Sequence, residues 1–404
     1  MQNITDRRSL SLEKIFFSQQ NRIETWLQEQ WRLSPAPVYG SVDLRNAGFK
    51  IAPIDMNLFP AGFNNLNPEF LDCSVEGAKK AILRAAPATK KILLIPENHT
   101  RNQFYWDNIA VLNKILSQAG FLTRMGSLLS EEAEKKADVH SVQRENNKIK
   151  VDDFIPDVIL LNNDLSEGIP DILQGLTQPI MPPAELGWSR RLKSKHFHHY
   201  ANVSQSFADM LGIDTWLIAP LFEYCGEVDF MRHEGEECLA SHVDALLKTL
   251  QKKYDEYDIQ HKPFVIVKAD AGTYGMAVMT VRSADEVRHL NRKQRTSMAK
   301  SKGGQPVRQV IVQEGVYTFE TVGPNNMVAE PVVYLWGEAV AGGFYRVHKE
   351  RGTDESLNSP GMHFEPLPFA KPCHLPGEEE SQNLFYVYGV IARLSMLAAA
   401  REML

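Results

Sequence analysis

A chain of 404 residues is too long for one compact core, so two or three domains are expected. Its 43% hydrophobic and 23% charged residues are ordinary for a globular protein, and a net charge of −6 argues against nucleic acid or an anionic membrane as the main partner. No apolar run approaches the roughly 20 residues that span a bilayer, and the polar start MQNITDRRSLSLEKIFF lacks the apolar core of a secretory signal, so a cytoplasmic location is expected.

Residues 10–32 carry apolar side chains at helical spacing. The stretch 34–60 opens with prolines and continues as short extended pieces. A helix over 76–86, a buried strand KKILLIP at 90–96, a helix over 103–119, a short strand at 121–124 and a strand at 157–166 follow. Strands alternating with helices predict an α/β domain with a mostly parallel sheet, whose carboxyl ends are where ligands usually bind.

From about 186 the texture changes. GWSRRLKSKHFHHYANVSQSFADML is basic and helical, and 239–254 is an amphipathic helix. Residues 263–281 read as strand, glycine turn and strand. A helix over 283–300 follows, with Ser283 and Glu286 spaced as a capping box. The run 291–308 is the expected mobile loop. QVIVQEGV at 309–316 is a strand, 331–348 a hairpin around Gly337–Glu338, and 380–402 a final helix. Cys73, Cys225, Cys238 and Cys373 lie far apart and read as scattered reduced thiols. A zinc site needs clustered Cys and His ligands, and none cluster in the sequence.

VIVKADAGTYGMAVM carries the most specific chemistry. A strand ends in Lys268, and Gly272 and Gly275 let the backbone approach phosphate oxygens, with Thr273, Tyr274 and Met276 in the same loop. No Walker A pattern occurs, and a strand rather than a helix follows, which excludes the dinucleotide fingerprint. An ordinary glycine hairpin is the bland alternative.

Taken with its surroundings, this segment resembles the glutathione synthetase branch of ATP-grasp ligases. The resemblance implies an adenine hinge at Gln313, Glu314 and Val316, and an earlier phosphate lysine at Lys195, with Lys193 as a close rival. It also implies catalytic roles for Lys268, Arg346 and Asn358, with Gly361 following in order. The amino half is dense in polar residues at strand ends: Arg45, Lys50, Asp55, Asn57, Asn64, Asn65, Glu97, His99, Thr100, Arg101, Asn102, Asn163 and Asp164. Some are turn residues, but an amino acid substrate needs such cations and acceptors. Arg45, Asp55, Asn57, Asn64, Asn65, His99, Arg101, Asn102 and Asn163 are the substrate candidates.

DMNLFPAGFNNL, PENHTRNQFYWDN, LLNNDLS, GWSRRLKSKHF, VKADAGTYGMAVMTV and VQEGV, in this order, resemble the proteobacterial glutamate–cysteine ligases over about residues 10–404. That resemblance implies ligation of glutamate to cysteine through an acyl phosphate, with ATP and Mg²⁺, small-molecule partners only, and a homo-oligomer left open. It implies an N-terminal parallel-sheet α/β domain (1–185), an α+β lid (186–315) and a C-terminal ATP-grasp subdomain (316–404). The Asp and Glu-x-Asn metal ligands usual after the Asn/Gly turn are absent, which leaves Glu330 first among Glu314, Glu320, Glu355 and Glu365. Another ATP-grasp ligation and a non-catalytic ATP-binding protein stay open as alternatives.

Overall fold

The computed structural model describes residues 6–98, 102–129, 138–272, 275–367 and 384–404. Three sheets organise the chain. The parallel sheet has the order Val139–Ser141, Leu122–Ser127, Lys91–Pro96, Val158–Asn162, Ile180–Met181, every neighbouring pair running parallel. Its middle strands KILLIP and VILLN are buried over nearly their whole length, as a sheet covered on both faces requires. This is the α/β unit that the alternating pattern predicts.

A second, antiparallel sheet holds Phe222–Cys225, Val310–Glu314, Val265–Ala269 and Val278–Val281 in that order. Val265, Val267, Val310 and Val312 turn to one face, where they bury against the Glu236–Glu256 helix. Ile266, Lys268 and Gln313 turn to the other, because successive strand residues alternate faces.

The third sheet is antiparallel and joins distant parts of the chain. Its order is His363–Pro366, Ala339–His348, Met327–Trp336, Tyr39–Asn46, Ile51–Asn57, with Thr321–Val322 alongside Met327–Trp336. The segments 1–185 and 316–404 therefore share one sheet. Val42, Leu44, Val333, Leu335 and Val347 pack on one face against the Leu384–Arg401 helix. That helix is apolar all round and buried from Tyr386 to Ala400, wedged between this sheet and the Lys193–Leu211 helix. On the opposite face Ser41, Asp43, Arg45, Glu330, Tyr334 and Arg346 line a cleft.

Two helices break where one is expected. The first 10–32 segment is Asp6–Ser18 followed by Gln20–Leu33. The 283–300 segment is Ala284–Arg288 followed by Arg292–Met298, because Asn291 starts a new helix with Gln294 in a capping box. The Ser283 side chain accepts from Glu286 N–H, but the Glu286 carboxylate returns to Arg282 N–H, one residue before the cap.

Candidate active site

The cleft encloses about 1020 Å³ and is walled by all three sheets. The carboxyl ends of the parallel strands supply Glu97, Asn98 and Asp164. The second, antiparallel sheet supplies Ile266, Lys268 and Gln313, and the shared sheet supplies the charged floor.

Lys268 and Lys193 are brought together by a cap. Asp270, two residues past Lys268, accepts from Ser194 N–H (2.7 Å) and Ser194 Oγ (2.6 Å) at the start of the Lys193–Leu211 helix. A carboxylate there satisfies an orphan N–H and opposes the helix dipole. Lys193 Nζ then sits 2.8 Å from Asp55, over the Trp188 ring at 4.0 Å. Lys268 Nζ donates to Ile54 O at 2.6 Å, and burial pushes its pKa down to about 8. Although burial opposes ionisation of Asp55, Lys193 and Lys268 hold its carboxyl well below the usual range.

The structure puts Lys193, not Lys195, in the cleft. Residues two apart on a helix point to nearly opposite sides, and Lys195 Nζ instead reaches Glu402 O at 3.4 Å. Glu402 anchors this region from below. Buried with Arg191 (2.8 Å) and His196 Nδ1 (2.6 Å), it ties the end of the C-terminal helix to the start of Lys193–Leu211. Asn163 also lies outside the cleft lining. It is buried, its Nδ2 donates to Pro96 O and its Oδ1 accepts from Leu165 N–H, the turn role of an asparagine at a strand end.

On the floor, Glu330 is held by two arginines. Arg45 Nε lies 3.1 Å from one oxygen, and Arg346 Nη1 bonds the other while also reaching Asp43 at 2.8 Å. Arg45 further donates to Val316 O at 3.0 Å. Glu330, expected as the first metal ligand, has both oxygens bonded to these guanidinium groups, with which a metal would have to compete. Glu314 is likewise taken: Lys50 Nζ (2.7 and 2.8 Å), Trp216 Nε1 (3.1 Å) and Leu221 N–H (2.9 Å) all donate to its carboxylate. Among the other candidates, Glu320, Glu355 and Glu365 do not line the cleft. Asp43 and Asp55 do. They face each other across adjacent strands, where like charges repel unless something positive lies between or beside them. The sequence reading missed Asp43. Its signal is the period-2 series Ser41, Asp43, Arg45 on one strand.

The residues expected to form an adenine hinge differ in what they leave available. Glu314 N–H and Gly315 N–H are spent on Leu221 O and Phe264 O. Gly315 is required for space: a Cβ there would lie 2.1 Å from Phe264 Cε2. Gln313, however, lines the cleft with its Nε2 buried and without a partner among the described residues. Asn98 Oδ1, Trp188 Nε1 and Arg346 Nε are in the same condition, and all four residues line the cleft. Buried polar atoms are normally satisfied, so unused donors and acceptors gathered in one cleft mark a polar ligand site.

Gly272 (φ +116°) and Gly275 (φ +65°) are left-handed, conformations that spare the backbone for close approach. A Cβ on Gly275 would stand 2.9 Å from Asn358 O, so this loop lies against the Asn358 segment. Met276 and Val316, expected to bind the nucleotide, and Asn57, Asn64, Asn65 and Asn102, expected to bind substrate, line the cleft. Thr273, Tyr274, His99, Thr100 and Arg101 lie outside the described residues. The expected mobile loop contributes Lys302, whose Nζ bridges Asp164 (2.8 Å) and Glu97 (3.1 Å). Trp188, Lys302, Tyr334 and Phe344 are lining residues that the sequence reading did not single out.

Residues 13–403 match the family model of glutamate–cysteine ligase, GshA. A crystal structure from Methylobacillus flagellatus KT, provisionally named gamma-glutamylcysteine synthetase, is 50% identical with a TM-score of 0.89 over 100% of this chain and 98% of that one. A glutathione synthetase-like effector from Globodera pallida (11% identity, TM-score 0.41, 85% and 78% covered) and D-alanyl-alanine synthetase A from Vibrio cholerae (13%, 0.36, 76% and 81%) are too distant to carry an argument. No curated protein matches. Among the described residues, no helix is long and apolar enough to cross a membrane.

Proposed function

The chain belongs to the glutamate–cysteine ligase family, and we propose that its cleft uses ATP to convert the γ-carboxylate of glutamate to an acyl phosphate that the cysteine amine captures. That the protein is a ligase of glutamate and cysteine follows from the family; the route and the residue roles are our reading. The observation that carries them is the pairing of two lysines from different elements, Lys193 and Lys268, beside a two-glycine turn in a cleft with unused polar atoms.

In the first step a γ-carboxylate oxygen bonds to the γ-phosphorus of ATP and ADP leaves. In the second the amine nitrogen bonds to the acyl carbon, loses a proton, and phosphate departs with the original carboxylate oxygen. No enzyme nucleophile is needed. Lys193 and Lys268 neutralise the phosphates, and the turn at Gly272 and Gly275 offers them backbone N–H groups. Gln313 Nε2, without a partner among the described residues, donates to an acceptor on the adenine ring. The Nε–H of Arg346, without a partner among the described residues, stabilises oxyanion charge while its Nη1 stays bound to Asp43 and Glu330. Asn358, against the glycine turn, orients the amine or a phosphate oxygen.

Asp43, one oxygen of which is bonded to Arg346, and Asp55, bonded to Lys193, face each other in the cleft and are oxygen donors of the kind a hard cation such as Mg²⁺ takes, so a cation there would displace Lys193 from Asp55. When bound, the cation supplies further neutralisation of phosphate charge. The Lys302 bridge to Glu97 and Asp164 narrows the opening and helps exclude water, which would otherwise hydrolyse the acyl phosphate.

The test is ADP release from purified protein with ATP, Mg²⁺ and each amino acid, with the product identified by mass. The expected result is γ-glutamylcysteine formed only when both amino acids are present. ADP release supported by a different amine and not by cysteine would overturn the substrate assignment.

A further inference from the structure

Folding gathers three side chains that look scattered in the sequence. Cys225 ends the Phe222–Cys225 edge strand of the second sheet, and Cys238 and His242 lie one turn apart on the Glu236–Glu256 helix that packs against it. Donor atoms of all three fall within 4.8 Å of one another. The expectation of isolated thiols is therefore overturned for this pair, whose sulfurs are 3.7 Å apart. Glu223, two residues before Cys225 and so on the same face of the strand, places Oε2 3.7 Å from His242 Nδ1.

We propose that Cys225, Cys238 and His242 form a binding site for a zinc-like divalent cation, with Glu223 or a water as the fourth ligand. The geometry fits that ion. Metal–sulfur bonds of about 2.3 Å in a tetrahedron set two thiolates about 3.8 Å apart, close to the spacing found. The donor chemistry fits as well. Two thiolates and an imidazole suit a borderline-soft metal, whereas Mg²⁺ prefers oxygen donors and does not compete. Binding replaces two thiol protons by the cation, and both protons go to solvent. The two ligand pairs come from two elements, each at a spacing of two on a strand or four on a helix. The ion thus clips the edge strand to the helix that backs Val265–Ala269, the strand bearing Lys268. The site faces away from the cleft, since none of its residues lines it.

Reduced, metal-stripped full-length protein is titrated with Zn²⁺ against a chromophoric chelator, and separately with Co²⁺, in the absence of ATP. One equivalent of Zn²⁺ is expected to bind. Co²⁺ is expected to give a thiolate-to-cobalt charge-transfer band with tetrahedral d–d absorption. Because Cys225 is buried and its replacement can disturb folding, the decisive variants are Cys238→Ser and His242→Ala, at more exposed positions. Each should weaken Zn²⁺ binding by at least about 100-fold, since loss of an outer-shell partner alone costs about 10–100-fold, while Cys73→Ser leaves it unchanged. Equal affinity in Cys238→Ser, an octahedral cobalt spectrum, or oxidation of Cys225 and Cys238 to a disulfide without metal uptake in the reduced protein would each overturn the proposal.

Discussion

Replacing Lys268 with alanine is expected to lower turnover by about 10²–10³-fold, the usual loss when one preorganised donor to transition-state charge is removed. The fold should survive. Among the described residues the Lys268 side chain makes one hydrogen bond, to Ile54 O, and Asp55 keeps Lys193 as its counter-ion when Lys268 is gone. The same side chain sets a pH signature. Burial holds its pKa down to about 8, so its charge is present below that pH and lost above it. In the free enzyme kcat/KM for ATP should therefore fall as pH rises through about 8. Bound phosphates favour the charged form, so kcat at saturating ATP should hold to higher pH. Lys268→Arg should lose this inflection, because a guanidinium does not titrate there. Undiminished turnover in Lys268→Ala would remove the lysine from the phosphate site.

Glu330→Ala is expected to act mainly on stability. Glu330 is buried and both its oxygens are bound by arginines. Removing it takes a buried carboxylate from both guanidinium groups, leaving Arg346 with Asp43 and Arg45 with backbone carbonyls, and breaking a buried pair costs about 3–5 kcal/mol. With the per-residue unfolding entropy of globular proteins, a chain of this length should lose roughly 5 °C in Tm. Calorimetry with a Mg²⁺ titration separates this role from metal binding. Glu330→Gln, which keeps the shape and an acceptor, should leave the Mg²⁺ requirement unchanged. Asp43→Asn should raise that requirement. A Mg²⁺ dependence that shifts in Glu330→Gln with an unchanged Tm would restore Glu330 as a ligand.

Much of the local structure was legible because it is written in local signals. KILLIP and VILLN are short apolar runs bounded by turn residues, and they are the central parallel strands. Lys268, the glycine turn and Gln313 stand within fifty residues of each other, so a strand–turn–strand pattern sufficed to bring them together. The shared sheet was hidden for the opposite reason. Tyr39–Asn46 pairs with Met327–Trp336 across nearly the whole chain, and no periodicity reveals a partner so distant. Asp43 went unnoticed as a result, since a lone aspartate in VDLRN acquires meaning only beside Arg346 and Asp55. The choice between Lys193 and Lys195 depended on the phase of one helix. That phase is set by Asp270, Arg191 and Glu402, and of these the segment RRLKSKHF contains the arginine alone. The gathering of Cys225 with Cys238 and His242 likewise depends on a strand and a helix packing together, which spacing alone does not disclose.

The central claim is that glutamate is activated as an acyl phosphate in this cleft. Glutamate labelled with ¹⁸O in its γ-carboxylate, incubated with ATP, Mg²⁺ and cysteine, tests it directly through the mass of the phosphate released. Transfer of one labelled oxygen to phosphate for each γ-glutamylcysteine formed is the predicted result. Product made with unlabelled phosphate would contradict the account.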